Sequence, residues 1–253
     1  MGQRVLVTAG AGGIGLAIAR AFAASGAQVL VADIDKAALE RLAQESANIH
    51  CRACDLSDRA AIESMVPEAI QALRGLDVLI NNAGIAGPTA PVADLNPDDW
   101  EAVMRINLHA TFNVTRLAIP HLKKSKSASI INMSSAAGRF GYANRSAYST
   151  SKWGLIGFTK TLALELGAYG IRVNAILPGA VAGQRVERVL AGRAQISGRT
   201  LEQERTAALA MQSIKAFVEP EEIAALAVFL ASEAAKSISG QMLPIDNDQF
   251  TTS

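Results

Sequence analysis

The strongest constraint on the fold of this chain is a series of short apolar segments in which polar and apolar residues do not alternate. Strands of this kind are buried on both faces of a sheet, as in parallel sheets. The segments lie at 5–7, 29–31, 48–53, 78–80, 129–133 and 172–177, and helix-length segments separate them at 13–25, 36–45, 58–73, 98–122 and 146–168. This alternation predicts a doubly wound α/β fold, in which a parallel sheet carries helices on both faces.

The composition indicates one globular domain over residues 1–253, with no linker or repeat. Hydrophobic residues make up 50% of the chain and charged residues 19%, which excludes intrinsic disorder. The net charge is only +1, whereas a protein dedicated to nucleic-acid binding needs a basic excess. The longest apolar run late in the chain, at 223–231, is too short to cross a bilayer. We therefore expect a cytoplasmic protein that binds neither nucleic acid nor a membrane.

The cysteines and histidines predict neither a disulfide nor a metal site. Cys51 and Cys54 form a C-x-x-C motif. Residues three apart in an extended strand face opposite sides and lie roughly 10 Å apart, too far for a disulfide. His50, His109 and His121 have no metal-ligand spacing with one another or with an acidic cluster.

A glycine-rich turn follows the first predicted strand and opens the first predicted helix. Glycines let the backbone approach a pyrophosphate closely, and the helix N-terminus favours its negative charge. A strand, turn and helix in this order predict a Rossmann-type dinucleotide-binding unit. The residues of the turn expected to contact the cofactor are Gly10, Gly12, Gly13, Ile14 and Gly15.

Asp33 predicts which nicotinamide cofactor is preferred. It ends the second predicted strand, 18 residues beyond Gly15, where a carboxylate accepts hydrogen bonds from the adenosine ribose hydroxyls. A carboxylate there repels a 2′-phosphate, and neither position 32 nor position 34 is an Arg or Lys. We therefore expect NAD rather than NADP.

Tyr148 and Lys152 are separated by four residues and lie on one face of a predicted helix. A free tyrosine has a pKa of about 10, which is too high for efficient proton exchange at neutral pH. A neighbouring ammonium group stabilises the phenolate and lowers that pKa. Ser135 ends a predicted strand 13 residues upstream of Tyr148, where its hydroxyl can meet a substrate oxygen.

Together these motifs resemble the short-chain dehydrogenase/reductase family, in its short single-domain branch. The resemblance extends over essentially the whole chain. The matching residues are the turn at 8–15, Asp55, Leu56, Asn81, Asn82, Ala83, Gly84, Asn107, Ser135, Tyr148, Lys152, Pro178 and Gly179.

The resemblance implies a role for each of these residues. Tyr148 acts as general acid and base, and Ser135 orients the substrate oxygen. Lys152 holds the nicotinamide ribose and lowers the pKa of Tyr148, while Asn107 anchors a water molecule that links Lys152 to solvent. The remaining cofactor contacts implied by the family are Asp55 and Leu56 beside the adenine, Asn82, Ala83 and Gly84 along the cofactor, and Pro178, Gly179 and Val181 after the sixth strand.

Two positions depart from the family pattern. The first glycine of the family's turn is Ala9 here, and we expect Gly10 and Gly12 to supply the missing backbone freedom. The threonine that often follows Pro178 by five residues is Gly183, so one hydroxyl contact to the cofactor is lost.

The residues that choose the substrate lie, by the same resemblance, in a covering insertion at 183–219. Most of its cationic residues have the pattern of solvated helix faces. Arg145 is more informative, because the run 144–148 resembles the Asn-Lys-Ser-Ala-Tyr run of 3-hydroxybutyrate dehydrogenases, whose Lys pairs with the substrate carboxylate. An Arg binds a carboxylate bidentately. The other polar contacts of that subgroup are missing, since Ala86 and Ala137 occupy their positions.

The sequence therefore predicts an NAD-dependent oxidoreductase for a small secondary alcohol or ketone, with a hydroxy acid as one substrate class. A sugar, polyol or cyclic alcohol is the alternative substrate. A non-catalytic dinucleotide sensor is a hypothesis of another class, and an epimerase has no room for its added substrate domain. The resemblance also implies a homotetramer paired through the helices at 98–122 and 146–168.

Overall fold

The computed structural model describes residues 2–250 and contains one seven-stranded parallel sheet. The strands are β1 (Arg4–Thr8), β2 (Gln28–Asp33), β3 (Ile49–Ala53), β4 (Val78–Asn81), β5 (Ser129–Met133), β6 (Arg172–Pro178) and β7 (Met242–Ile245). Their order across the sheet is β3-β2-β1-β4-β5-β6-β7, and every neighbouring pair is parallel. The predicted fold class is confirmed.

Helices cover both faces of this sheet. They are α1 (Gly13–Ala24), α2 (Lys36–Ala43), α3 (Arg59–Leu73), α4 (Pro97–Met104), α5 (Ala110–Leu122), α6 (Ser146–Leu166), α7 (Gln184–Ser197), α8 (Leu201–Ala210) and α9 (Pro220–Ala231). Successive residues of a strand point to opposite faces, so Val5 and Val7 pack with α1, α2 and α9, while Leu6 packs with α3, α5 and α6. Burial on both faces explains why β1 has no polar alternation.

The segment predicted as a helix at 98–122 is helical throughout, from Pro97 to Leu122. The helix is divided by one wide π-helical turn, Arg105–His109, between α4 and α5. This turn carries Asn107, whose Oδ1 accepts a hydrogen bond from the Ile85 backbone N–H at 2.8 Å and whose Nδ2 donates to the Ile85 carbonyl at 3.1 Å. These hydrogen bonds stabilise the departure from regular α-helix. Single π turns of this kind often occur at functional sites.

The sequence pattern did not predict β7 or the helices after residue 183. Strand β7 is an edge strand of four residues with partly exposed side chains, and it contains Pro244. An edge strand tolerates a proline because its outer N–H has no partner in the sheet. No helix in residues 2–250 combines the length and the apolar character needed to cross a bilayer.

A buried polar network fixes α5 and α6 against the sheet. The Asn81 amide on β4 donates to Thr115 on α5 and to Asn132 on β5. The Asn132 amide in turn donates to the Thr159 hydroxyl on α6 at 2.9 Å. Buried networks of this kind hold side chains in one arrangement, so the network fixes the helix that carries Tyr148.

The strand order reverses at β1, which lies between β2 and β4. In open α/β sheets ligands bind at this reversal, outside the carboxyl ends of the strands. Asn82 bridges the two turns there: its Nδ2 donates to the carbonyls of Thr8 and Ala9, and its backbone N–H donates to the Thr8 hydroxyl. The two sides of the ligand cleft are therefore joined at its base.

Ala9 keeps the backbone strain that we expected Gly10 and Gly12 to relieve. Its φ is 51°, in the left-handed region where a Cβ costs about 1–2 kcal/mol. Of the neighbouring glycines only Gly13 has a positive φ, which is also 51°. The expectation that Gly10 and Gly12 substitute for the missing glycine is wrong. The turn requires the left-handed conformation at position 9 itself, and neither Gly10 nor Gly12 has a positive φ.

We expect Ala9→Gly to raise the free energy of unfolding by about 0.5–1 kcal/mol, because it removes this strain at a smaller cost in unfolded-state entropy. Denaturant unfolding measures the change. Ala11→Gly is the matched control in the same turn, since Ala11 does not have a positive φ and a glycine there should not stabilise. Equal effects of the two substitutions would contradict the prediction.

Candidate active site

The end of β5 and the start of α6 bring three predicted residues together. Lys152 is 2% exposed, and its Nζ donates a hydrogen bond to the Met133 carbonyl at 2.7 Å. The Ser134 hydroxyl donates to the Lys152 carbonyl at 2.9 Å, which ties the helix to the strand end. Ser135 follows directly, and its hydroxyl lies close enough to Tyr148 to lower the pKa of that residue. The structure therefore brings Ser135, Tyr148 and Lys152 into one group.

Tyr148 is half-buried and more acidic than an ordinary tyrosine. Burial raises its pKa, but the positive charges of Arg185 and Lys152, the Ser135 hydroxyl and the charge of Arg145 together lower it to about 8. Burial also lowers the pKa of the Lys152 ammonium, and the neighbouring Tyr148 opposes that effect. A tyrosine in this environment exchanges a proton at near-neutral pH, which an ordinary tyrosine does poorly.

Asn107 lies behind this group, fully buried. Its amide holds the Ile85 backbone through both of its polar atoms, and Nδ2 also donates to the Ser151 hydroxyl at 2.9 Å. A Cβ on Gly84 would lie 3.2 Å from the Asn107 Oδ1 and 3.3 Å from the Lys152 Nζ, so only glycine lets these groups approach the main chain so closely. The water link implied for Asn107 stays a prediction.

The glycines of the phosphate-binding turn divide into two kinds. A Cβ on Gly15 would lie 2.3 Å from the Ala9 carbonyl oxygen, and one on Gly10 would lie 2.9 Å from a methyl group of Val31. These two glycines allow the helix and strand to pack closely. In contrast, a Cβ on Gly12 or Gly13 would meet nothing within 4 Å, so the backbone there borders open space.

The N-terminus of α1 is open toward that space. No side chain in residues 2–250 caps it, and its first turn contains no acidic residue. Unpaired N–H groups and the positive end of the helix dipole fit a pyrophosphate. Asp33 supports the same turn, because its Oδ2 accepts the Ala11 N–H at 2.9 Å. The residues present therefore fit a dinucleotide.

These elements surround one cavity with a volume of about 670 Å³. The predicted site residues that line it are Gly12, Gly13, Ile14, Asn82, Gly84, Ser135, Arg145, Tyr148, Lys152, Pro178, Gly179 and Val181. The predicted residues that do not line it are Gly10, Gly15, Asp33, Asp55, Leu56, Ala83 and Asn107. Most members of the second group support the lining from behind or lie at the ends of β2 and β3.

Asp55 and Leu56 differ in environment. The Asp55 carboxylate accepts the Ser57 N–H at 2.8 Å and is exposed, whereas Leu56 is buried in the apolar cluster beneath the sheet. Both follow β3, whose end is joined to β2 by a hydrogen bond from the Cys54 N–H to the Asp33 carbonyl. Their contact with an adenine ring stays a prediction.

Arg145 is a buried cation. It is 3% exposed, its Nη2 donates to the Ala86 carbonyl at 2.9 Å, and its guanidinium carbon lies 5.1 Å from the centre of the Tyr148 ring. Burial lowers its pKa. Within residues 2–250 its Nε has no hydrogen-bond partner, and no carboxylate acts on its charge.

Other cavity residues were missed from the sequence. Arg185, Arg188 and Arg193 of α7 line the cavity. Arg185 and Arg188 are also exposed, as expected for solvated helix faces, whereas Arg193 is half-buried. The Arg185 Nη1 donates to the Gly84 carbonyl at 3.1 Å, and Arg193 donates to the Tyr142 hydroxyl. Arg188 and Arg193 follow Arg185 by three and eight residues, which places the three on one face of the helix. Arginines on a solvated helix face have the same spacing, so the sequence alone did not single them out.

The cysteines and acidic residues form no further site in the described chain. Cys51 and Cys54 are both free, and burial raises the pKa of the Cys54 thiol to about 11, which makes it unreactive. Across residues 2–250 no cluster of three or more His, Cys, Asp or Glu residues has the geometry to hold a metal ion.

Comparison with known proteins agrees with this geometry. The family model described as short chain dehydrogenase matches residues 3–193. A curated relative, the D-beta-hydroxybutyrate dehydrogenase of Cupriavidus necator, is 41% identical over 97% of this chain and 96% of its own. Two crystal structures superpose on this chain with TM-scores of 0.91 at 30% sequence identity. One is an NAD+-bound xylitol dehydrogenase, which covers 96% of this chain and 97% of its own. The other is an actinorhodin polyketide ketoreductase with NADPH, which covers 97% of this chain and 96% of its own.

The fold, the site and these likenesses define an oxidoreductase that acts on CH–OH groups with a nicotinamide cofactor. More particularly, the chain belongs to the short-chain dehydrogenase/reductase family.

We expect the phenolate absorbance of the protein to show a component with a midpoint near pH 8, which Tyr148→Phe removes. Burial raises this pKa, and Arg185 is the charge that lowers it most, so Arg185→Gln should move the midpoint up by as much as about one pH unit. Arg188→Gln is the matched control, since Arg188 lines the same cavity without acting on Tyr148. An unchanged midpoint in Arg185→Gln would refute the electrostatic explanation.

Proposed function

We propose that this protein is an NAD-dependent dehydrogenase of hydroxy acids, which interconverts a secondary alcohol and its ketone. The observation that carries this proposal is Arg145, a buried guanidinium beside Tyr148 that has no carboxylate partner within residues 2–250.

A buried charge without a counter-charge costs several kcal/mol. A substrate carboxylate removes that cost, because it pairs with the guanidinium and accepts hydrogen bonds from it. The Arg145 guanidinium lies 5.1 Å from the Tyr148 ring, so a carboxylate bound there lies close to the carbon whose hydroxyl meets Tyr148. A 2- or 3-hydroxy acid has this arrangement.

The composition of the cavity supports an acidic substrate. Among the described residues that line it, five are cationic and none is Asp or Glu: Arg145, Lys152, Arg185, Arg188 and Arg193. The likeness to a D-beta-hydroxybutyrate dehydrogenase points to the same substrate class. A xylitol dehydrogenase shares the fold equally well, but a polyol gives the buried Arg145 no counter-charge.

The reaction removes a hydride and a proton from the alcohol. A nicotinamide cofactor bound in the cavity would supply the hydride acceptor. Tyr148, as the phenolate, takes the proton of the substrate hydroxyl, and Ser135 hydrogen-bonds to the same oxygen. Lys152 stabilises the phenolate, and Asn107 holds the main chain beside Lys152 through Ile85. In the reverse direction Tyr148 returns the proton to the developing alkoxide. The intact set of four residues argues against a non-catalytic sensor.

The residues that hold the cofactor are those of the glycine turn, Lys152 and Asp33. The open N–H groups at the start of α1 receive the pyrophosphate. Lys152 holds the nicotinamide ribose, and Asp33 accepts hydrogen bonds from the adenosine ribose. Asp33 also disfavours a 2′-phosphate, which supports NAD over NADP.

The exposed faces of α5 and α6 support a homotetramer. Phe112 is 51% exposed, Trp153 is 50% exposed and Leu164 is 86% exposed. Apolar side chains exposed on neighbouring helices favour association.

We expect Asp33→Asn to raise the ratio of kcat/KM for NADP to that for NAD by about tenfold or more, because the charge that repels a 2′-phosphate is gone and the bond to the ribose is weakened. Steady-state kinetics with both cofactors measures the ratio. Asparagine keeps a side-chain oxygen that can accept the Ala11 N–H, so the turn should stay intact. If the turn were damaged, kcat/KM would fall for both cofactors and their ratio would stay unchanged. An unchanged ratio would therefore contradict a charge-based preference.

We expect Arg145→Gln to lower kcat/KM for 3-hydroxybutyrate by about thirtyfold or more, as loss of a buried charge pair costs about 2 kcal/mol or more. Neutral secondary alcohols of similar size should be affected much less. Arg139→Gln is the control, because Arg139 is a nearby arginine that does not line the cavity and pairs with Asp246. A uniform loss across acidic and neutral substrates would overturn the role of Arg145.

A further inference from the structure

Three arginines and two tyrosines alternate along one wall of the cavity. The centre of the Tyr148 ring lies 5.7 Å from the guanidinium carbon of Arg185 and 5.1 Å from that of Arg145. The centre of the Tyr142 ring lies 5.4 Å from the guanidinium carbon of Arg145 and 5.0 Å from that of Arg193. Cation–π contacts compensate part of the repulsion between these cations, but they do not neutralise it.

Arg193 is at the far end of this series from the glycine turn. It follows Arg185 by eight residues on α7, which corresponds to about 12 Å along the helix axis. Arg185 reaches the Gly84 carbonyl, whereas Arg193 donates to the Tyr142 hydroxyl. Its guanidinium therefore lies beside the substrate part of the cavity.

The anions already assigned pair with cations of the cavity other than Arg193. A dinucleotide brings its pyrophosphate to the turn and the start of α7, where Arg185 and Arg188 lie, and one substrate carboxylate pairs with Arg145. Because Arg145 and Arg193 both lie over the Tyr142 ring, their guanidinium carbons are at most about 10 Å apart. Two anionic groups on a short carbon chain can contact both arginines.

We propose that the substrate is a hydroxy acid with a second anionic group at its other end, and that Arg193 is the specificity-determining residue that binds this group. The proposal rests on the hydroxy-acid dehydrogenase proposed above. The shared chemistry is a carboxylate or phosphate held by a guanidinium, and a hydroxy dicarboxylate is the simplest compound that has it.

The test compares matched substrates that share the reacting carbon and its first carboxylate. They are 3-hydroxybutyrate, 3-hydroxyglutarate, the monomethyl ester of 3-hydroxyglutarate and 4-phospho-3-hydroxybutyrate. We expect kcat/KM for the dicarboxylate or for the phosphate compound to exceed that for the monoacid and the ester by about tenfold or more, as for one charge-assisted bidentate contact. The favoured compound of the two identifies the second group.

The variant Arg193→Gln should abolish this preference, measured as the ratio of kcat/KM for the dicarboxylate to kcat/KM for 3-hydroxybutyrate. Arg193→Lys should restore part of it, because the charge returns without the bidentate geometry. Arg199→Gln is the control, since Arg199 belongs to the same insertion and does not line this cavity. As a readout independent of turnover, glutarate should inhibit the wild type more strongly than butyrate does, and this difference should disappear in Arg193→Gln.

Equal kcat/KM for the dicarboxylate and its monomethyl ester, together with poor use of the phosphate compound, would overturn the proposal. An equal loss for all four substrates in Arg193→Gln would also overturn it, since it would show a structural role. If 3-hydroxybutyrate is oxidised in an Arg145-dependent way and Arg193→Gln changes nothing, only the second subsite fails. If no hydroxy acid is oxidised, the proposed function fails as well.

Discussion

The amide group of Asn82 joins the two halves of the sheet at the point where the ligand cleft begins. Only three residue pairs connect β1 and β4, and both strands then diverge into turns. Asn82 continues the connection beyond the strands, through the carbonyls of Thr8 and Ala9 and through the Thr8 hydroxyl. The open backbone at Gly12 and Gly13 is positioned by these bonds. The cleft at the reversal of the strand order can therefore be rigid, although it lies beyond the ends of the strands.

The lowered pKa of Tyr148 and the positive charge of the cavity have the same origin. Burial raises the pKa of Tyr148, and the charges of Arg185, Lys152 and Arg145 together with the Ser135 hydroxyl more than offset that effect. These three cations line the cavity, and among the described residues no Asp or Glu lines it. Arg145 also has no carboxylate partner among the described residues. An anion paired with Arg145 would weaken its influence on Tyr148, so the pKa of Tyr148 would rise.

The sequence predicts the sheet and the shared helix face of Tyr148 and Lys152 well, because these signals are local. Uninterrupted apolar strands exist only where both faces are buried, and Tyr148 and Lys152 share a helix face whatever the surroundings. The π turn at Asn107 has no such signal, since it depends on bonds to Ile85, which is distant in the sequence. Strand β7 is partly exposed and contains Pro244, so its pattern differs from that of the central strands. The sequence does not show that the arginines of α7 line the cavity. Their spacing predicts a shared helix face, but it does not show which part of the protein that face covers.

The covering insertion is held together mainly by its own contacts. Thr200 and Gln203 form a capping box at the start of α8, Arg205 pairs with Glu187 of α7 at 2.8 Å, and the Ser197 hydroxyl donates to Glu204. The sheet and the Asn82 connection do not depend on these bonds. Residues of α7 that face the cavity can therefore change during evolution with little loss of stability in the core. A fold arranged in this way can change the lining of its cavity by exchanging one pair of helices, while the group of Ser135, Tyr148 and Lys152 stays in place.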